Sequence, residues 1–120
     1  MRTGVNRKNR EELGEVFTPD ELVDQILDNL DPELFTNPEK TFCDPTCGNG
    51  QFLYAVLKRK MANGIDHRTA LLTIFGVDIN PDNVNECRER LLMNDHRYTH
   101  IVNQNIKVAD ATTYDFEFDK

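Results

Sequence analysis

This sequence predicts an α/β fold built on a parallel sheet, and three observations lead there. Short apolar runs suited to strands alternate with amphipathic stretches suited to helices, and such alternation at short spacing implies right-handed crossovers and a sheet covered on its faces. The first run, TFCDP, passes directly into DPTCGNGQFL, where an acid, a proline and two glycines crowd the turn before a helix. Each of the three expected strands ends in an aspartate: Asp44, Asp78 and Asp110.

Taken in order, FTPDELVDQILDNLDP carries its own helix boundaries. Thr18 suits the N-cap, Pro19 the first helical position, and Glu21 stands where a capping box needs an acid. Phe17 and Leu22 suit a hydrophobic staple, and Leu22, Val23, Ile26, Leu27 and Leu30 recur on one face until Asp31 and Pro32 stop the pattern. TFCDP follows as the first strand. After Gly50, the residues Phe52, Leu53, Val56, Leu57 and Met61 mark a second helix closed by Gly64. A shorter helical piece around Asp66 and Leu72 leads into LTIFGVDI, whose β-branched and aromatic content suits a buried parallel strand. The unit then repeats: Asn80 caps, Pro81 starts, Val84, Cys87, Leu91 and Leu92 line a helix ending near Asn94, and NIKVADAT supplies the third strand.

Composition narrows the class. The 120 residues, 38% of them hydrophobic and 29% charged, fit one soluble globular domain without repeats or low-complexity tracts. No apolar run approaches the roughly 20 residues of a membrane span, and MRTGVNRKNREEL does not resemble a signal peptide, so a cytoplasmic location is expected. Three cysteines, Cys43, Cys47 and Cys87, do not suggest a disulfide framework. They lack the partners of a zinc finger, and His96 and His100 are expected to be solvated residues after a helix, with no metal bound. A net charge of −7 argues against unaided binding of a nucleic-acid backbone. Only the tail over residues 1–13 is basic, through Arg2, Arg7, Lys8 and Arg10, and a domain is expected over residues 14–120.

In a parallel sheet, ligands bind beyond the carboxyl ends of the strands. There, Gly48 and Gly50 would let backbone N–H groups and the next helix's N-terminus face an anionic group. Asp78 could accept both ribose hydroxyls of a nucleoside, with Ile79 offering an apolar face to the base. Taken singly, each residue has a plain reading: a tight turn at the glycines, a helix-terminal partner at Asp78, a turn residue at Asp110. Their recurrence at three successive strand ends favours a nucleoside-type site. A dinucleotide is disfavoured, because Leu53 replaces the fingerprint's third glycine and Asp78 lies well beyond the roughly 20-residue spacing of its acid.

The segments GEVFTPDELVDQIL, DPTCGNGQFL, FGVDINPDNVNECRERL and NIKVADATTYDF, in that order, resemble motifs X, I, II and III of adenine-specific DNA methyltransferases that use S-adenosylmethionine. The resemblance implies a Rossmann-like class I methyltransferase fold, here a truncated three-stranded parallel half-sheet with helices. By position it implies Phe17, Thr18 and Pro19 against the methionine end of the cofactor and Asp44, Thr46, Gly48 and Gly50 around its amino-acid moiety. Asp78 would take the ribose hydroxyls and Ile79 would pack on the adenine. Asp110 would accept from the adenine amino group with Ala111 beside it, and Phe52 would pack below the loop.

The family's catalytic tetrapeptide, Asn or Asp followed by two prolines and an aromatic residue, does not occur in these 120 residues. No catalytic residue is therefore assigned, and the chain alone is expected not to transfer a methyl group. The family's strand order places the first strand beside a fourth, which leaves an edge flanked by Thr41 and Pro45 to be covered by a protein partner, a second copy or YDFEF folding back. DNA would be reached only through a missing domain or partner chain. The rival expectation is a non-catalytic binding protein derived from such an enzyme, sequestering the cofactor or docking on a methyltransferase, a restriction subunit or another host protein. A small-molecule methyltransferase is the third, weakened by the same missing half.

Overall fold

The structure is a computed structural model and describes residues 20–118. Two compact units divide the chain, Met1–Asp31 and Pro32–Lys120. The described part of the first is helix α1 (Asp20–Asp28), with Asp20 and Glu21 in its first turn, where carboxylates suit the positive end of the helix dipole. Its expected apolar stripe splits: Val23 and Leu27 are buried, whereas Leu22 and Ile26 are more than two-fifths exposed, at 45% and 43%. The predicted cap and staple at Phe17, Thr18 and Pro19 lie outside the described residues.

The second unit runs α2 (Glu33–Thr36), β1 (Phe42–Asp44), α3 (Gln51–Ala62), α4 (His67–Leu71), β2 (Ile74–Asp78), α5 (Pro81–Leu92), a 3₁₀ turn (His96–Tyr98), α6 (Thr99–Asn105) and β3 (Ile106–Val108). The three strands form one parallel sheet in the order β1-β2-β3, with Phe42 opposite Ile74 and Gly76 opposite Ile106. This is the α/β, three-stranded parallel arrangement expected from the sequence. The predicted signals shape the helices locally. Asn80 accepts the Asp82 N–H at 2.9 Å ahead of Pro81, and Gly64, at φ +93°, donates its N–H to Met61 O to end α3. Leu53, Val56 and Leu57 of α3, Val84, Cys87, Leu91 and Leu92 of α5, and Ile74 and Val77 of β2 make up the core.

Three details depart from the sequence pattern. Met61 is only half-buried, and Lys60 is buried in its place. Its Nζ donates to Lys40 O at 2.6 Å and to Thr73 Oγ1 at 3.0 Å over the Phe42 ring, so the methylene stem packs while the amine ties α3 to the starts of β1 and β2. Helix α2 is too short for any periodicity to announce it; it buries Phe35, whose ring stacks on Phe42 at 5.4 Å. Helix α6 was likewise not foreseen. It places the exposed His100 on a helix rather than after one, and its Asn105 is buried, donating to Leu71 O at 3.0 Å.

β1 lies at one edge of the sheet. Phe42 donates to Thr73 O, and because alternate residues of a parallel ladder face opposite neighbours, the N–H and C=O of Cys43 face away from β2. No strand pairs with that edge among the described residues, and Cys43 is exposed. Past β3 the chain brings Phe118 onto Phe75, 4.9 Å between rings, with Tyr114 and Phe116 packed around it. Phe116 has φ +58°, uncommon for an aromatic residue. A groove of about 980 Å³ runs here, its walls including Cys43, Leu72, Phe75, Ile101, Phe116 and Phe118. Among the described residues, no helix is long and apolar enough to cross a membrane.

Candidate functional site

The loop joining β1 to α3 is shaped by hydrogen bonds that the sequence only partly announces. Asp44 ends β1, and its Oδ1 accepts the Thr46 N–H at 3.0 Å, turning the chain off the strand at Pro45 and leaving Thr46 exposed. Cys47 then donates its N–H to Val77 O at 2.8 Å, so the loop stays attached to β2. Gly48, at φ +54°, donates its N–H to Asp78 Oδ2 at 3.0 Å. Gly50, at φ +86°, donates to Cys47 O at 2.9 Å and caps α3.

Gly50 has a reason beyond its dihedral angle. A Cβ there would stand 2.7 Å from Cys87 Sγ and 3.0 Å from Cys87 Cα, so the missing side chain lets α5 pack against the loop. Gly76 does the same from below: its Cβ would meet Cys47 Cβ and Leu53 Cδ1 at 2.8 Å each. A glycine in mid-strand was the available signal for that approach. Beneath the loop lie the free, buried thiols of Cys47 and Cys87. The hydrogen bond with Cys87, then burial, push the Cys47 thiol far above the ordinary thiol range, which keeps it protonated and inert.

Asp78, half-buried at the end of β2, is more heavily engaged than the sequence suggests. Besides Gly48, its carboxylate accepts the Asn80 N–H at 2.8 Å and Asn83 Nδ2 at 3.5 Å, so one side chain binds the glycine loop to the start of α5. Asp44 lies close enough to feel its charge. Burial pushes the Asp44 carboxyl above its ordinary value and the Asp78 charge adds to this, against the Thr46 N–H. Ile79, beside Asp78, is 70% exposed, an apolar side chain presented at the strand tip.

The third strand end is arranged differently. Ala109 donates to Asp78 O at 3.0 Å, linking the tips of β2 and β3. Asp110 itself is exposed and turned into its own loop, where Oδ1 accepts the Thr112 hydroxyl at 2.7 Å and the Thr112 N–H at 2.9 Å; those bonds hold its carboxyl below the ordinary range. Ala111 beside it is half-buried. Asp44, Gly48 and Asp78 are thus brought together, Asp110 is engaged within its own turn, and Phe17, Thr18 and Pro19 lie outside the described residues.

The residue that sequence reading passed over is Asn49. It is 1% exposed; its Oδ1 accepts the Gln51 N–H at 3.3 Å, and its Nδ2 is buried without a hydrogen-bond partner among the described residues. Beside it, the N–H groups of Phe52 and Leu53 in the first turn of α3 have no backbone acceptor among the described residues. The only signal was its position between two glycines.

The family model for N-6 DNA methylases matches residues 4–120. The chain belongs to the N-6 DNA methylase family. Its relation to DNA adenine methylation is thereby shown, and N-6 DNA methylases as a family generally use S-adenosylmethionine. The residues at the loop suit such a group. An N-6 DNA methylase needs donors for the anionic end of the cofactor and acceptors for its hydroxyls and ammonium; the loop offers a buried, unmet amide at Asn49, an open helix N-terminus and the carboxylates of Asp44 and Asp78.

Proposed function

We propose that this chain is the S-adenosylmethionine-binding part of a site-specific adenine DNA methyltransferase, the methyl group going to the exocyclic amino group of adenine. The observation that carries the reading is the buried, unmet Asn49 amide at the open N-terminus of α3, beside paired carboxylates at the tips of β1 and β2. S-adenosylmethionine, when bound, supplies an electrophilic methyl group on a sulfonium. The chain's own residues grip and orient it: Asp44, Thr46, Gly48, Asn49 and Gly50 at the amino-acid end, Asp78 at the ribose, Ile79, Asp110 and Ala111 at the adenine, with Phe17, Thr18 and Pro19 against the methionine end. The base must be aligned with the methyl group and its developing positive charge drained by acceptors. The proline-aromatic tetrapeptide for that work does not occur in these 120 residues, and in this reading a further segment or a partner chain supplies it. We place the element that carries it against the outer edge of β1, where the Cys43 backbone is unpaired among the described residues and the apolar groove begins. DNA contact would come with that element, in keeping with a charge of −7 on this chain.

Incubating the chain with duplex DNA and S-adenosylmethionine labelled in the methyl group, with and without a protein carrying the tetrapeptide, tests this. Label in adenine only when both proteins are present supports the reading; failure of the chain to bind the cofactor in a calorimetric titration sinks it. The net charge of −7 favours a second reading, a non-catalytic binder that sequesters the cofactor or docks on a methyltransferase, a restriction subunit or another host protein. Tight cofactor binding with no label transferred in any mixture would favour that one.

A further inference from the structure

We infer that Asn63 is a self-modification site, at which the backbone nitrogen of Gly64 displaces ammonia from the Asn63 side chain and water then leaves an aspartate or an isoaspartate in its place. The inference does not depend on the cofactor reading. The sequence holds two Asn-Gly pairs, Asn49-Gly50 and Asn63-Gly64. Glycine crowds such a reaction least, because no Cβ shields its nitrogen. In sequence the two pairs are alike; the fold sets them apart.

Asn49 is buried, and Gly50 is closed in by Cys87, whose Sγ and Cα stand where a Cβ would reach. Bringing Gly50 N onto the Asn49 side chain requires the loop to lift off α5. Asn63 and Gly64 are exposed at the C-terminal end of α3, and around Gly64 a Cβ would meet nothing within 4 Å. What restrains them is the helix end itself: Gly64 donates to Met61 O at 3.0 Å, Ile65 to Lys60 O at 3.1 Å, and Asn63 Nδ2 to Arg59 O at 2.9 Å. At φ −93° and ψ 12° the Asn63 backbone keeps Gly64 N engaged there, so the reaction runs through the frayed end, which opens at far lower cost than a buried loop.

In the frayed form a solvent base takes the Gly64 N–H proton, the nitrogen bonds to Asn63 Cγ, and the Cγ–Nδ2 bond breaks to release ammonia. Water opens the resulting succinimide at one of its two carbonyls. One opening leaves aspartate in the ordinary backbone, the other isoaspartate with the chain routed through Cβ. Nothing is oxidised or reduced. Either product sets a negative charge against the negative end of the α3 dipole and removes the bond from Nδ2 to Arg59 O. Isoaspartate also lengthens the backbone by a carbon, which shifts Gly64 and the buried Ile65 away from Met61 O and Lys60 O.

The test is incubation of the whole chain in mildly alkaline buffer, native and in guanidinium chloride, with timed peptide mapping by mass spectrometry that scores aspartate and isoaspartate separately. In denaturant the two pairs should convert at rates within about threefold of each other, since only their shared dipeptide then matters. In the native protein Asn63 should convert at least about tenfold faster than Asn49, as their different opening costs require. Native protein enriched in isoaspartate at this position by ion exchange should unfold at lower urea concentration than wild type, and Asn63→Gln should give no product there. Equal native rates at the two pairs would overturn the inference, as would a native Asn63 that stays intact while the denatured chain is converted.

Discussion

Replacing Gly50 by alanine separates two costs that the loop geometry imposes on one residue. At φ +86° an L-residue bears roughly 1–2 kcal/mol of left-handed strain. The added Cβ would also stand 2.7 Å from Cys87 Sγ and 3.0 Å from Cys87 Cα, and the latter is backbone of α5 that cannot rotate aside. Overpacking of this kind costs about 1–3 kcal/mol. The sum, about 2–5 kcal/mol, is a large part of the 5–15 kcal/mol that holds a typical domain together. Gly64 is the built-in control: its φ is +93°, but a Cβ there meets nothing within 4 Å. Urea denaturation of Gly50→Ala and Gly64→Ala, read by circular dichroism, should show Gly50→Ala as the more destabilised by at least about 1 kcal/mol. Adding Cys87→Ala to Gly50→Ala should recover only part of that gap, since Cys87 Cβ and Cα remain at 3.1 and 3.0 Å. Equal losses for the two glycines would refute the idea that α5 packs against the loop through Gly50.

Three other outcomes follow from the same geometry. Burial and the Asp78 charge raise the Asp44 pKa in the fold, so the stability this residue contributes is full below the ordinary carboxylate range and fades as pH rises through the raised value. Asp44→Asn keeps an acceptor for the Thr46 N–H, so it should match wild type in acid and gain on it towards neutrality in denaturation curves, while weakening cofactor binding. Burial lowers the Lys60 pKa, so the fold bears a protonated amine at a cost that lifts as pH climbs from the lowered value towards the ordinary lysine value. Lys60→Met should lose about 1–3 kcal/mol at neutral pH through its two missing hydrogen bonds, and should not gain stability in alkali as wild type does. Of the three free cysteines only Cys43 is exposed, and burial with the Asp44 charge raises its pKa. A chromogenic disulfide reagent should therefore titrate one thiol in the native protein, faster as pH rises towards 9 and above, and all three in urea; a fast second thiol would contradict the packing beneath the loop.

By itself, the sequence determined the α/β class, the ends of β1 and β2 at Asp44 and Asp78, the caps at Asn80 and Gly64 and the core faces of α3 and α5, because those signals are local: period, punctuation and the residue types a turn requires; β3 ends at Val108, two residues before the expected Asp110. It also carried the family, through four motifs in order. What it left open are matters of which atoms meet. That Asp78 binds Gly48 and Asn80 at once, that Gly50 and Gly76 are glycines because Cys87, Cys47 and Leu53 come so near, and that Lys60 rather than Met61 is buried all depend on residues far apart in the chain. Asn49 is the sharpest case: between two glycines it looks like any turn residue, and only the tertiary structure shows its amide removed from water with the nitrogen lacking a hydrogen-bond partner among the described residues.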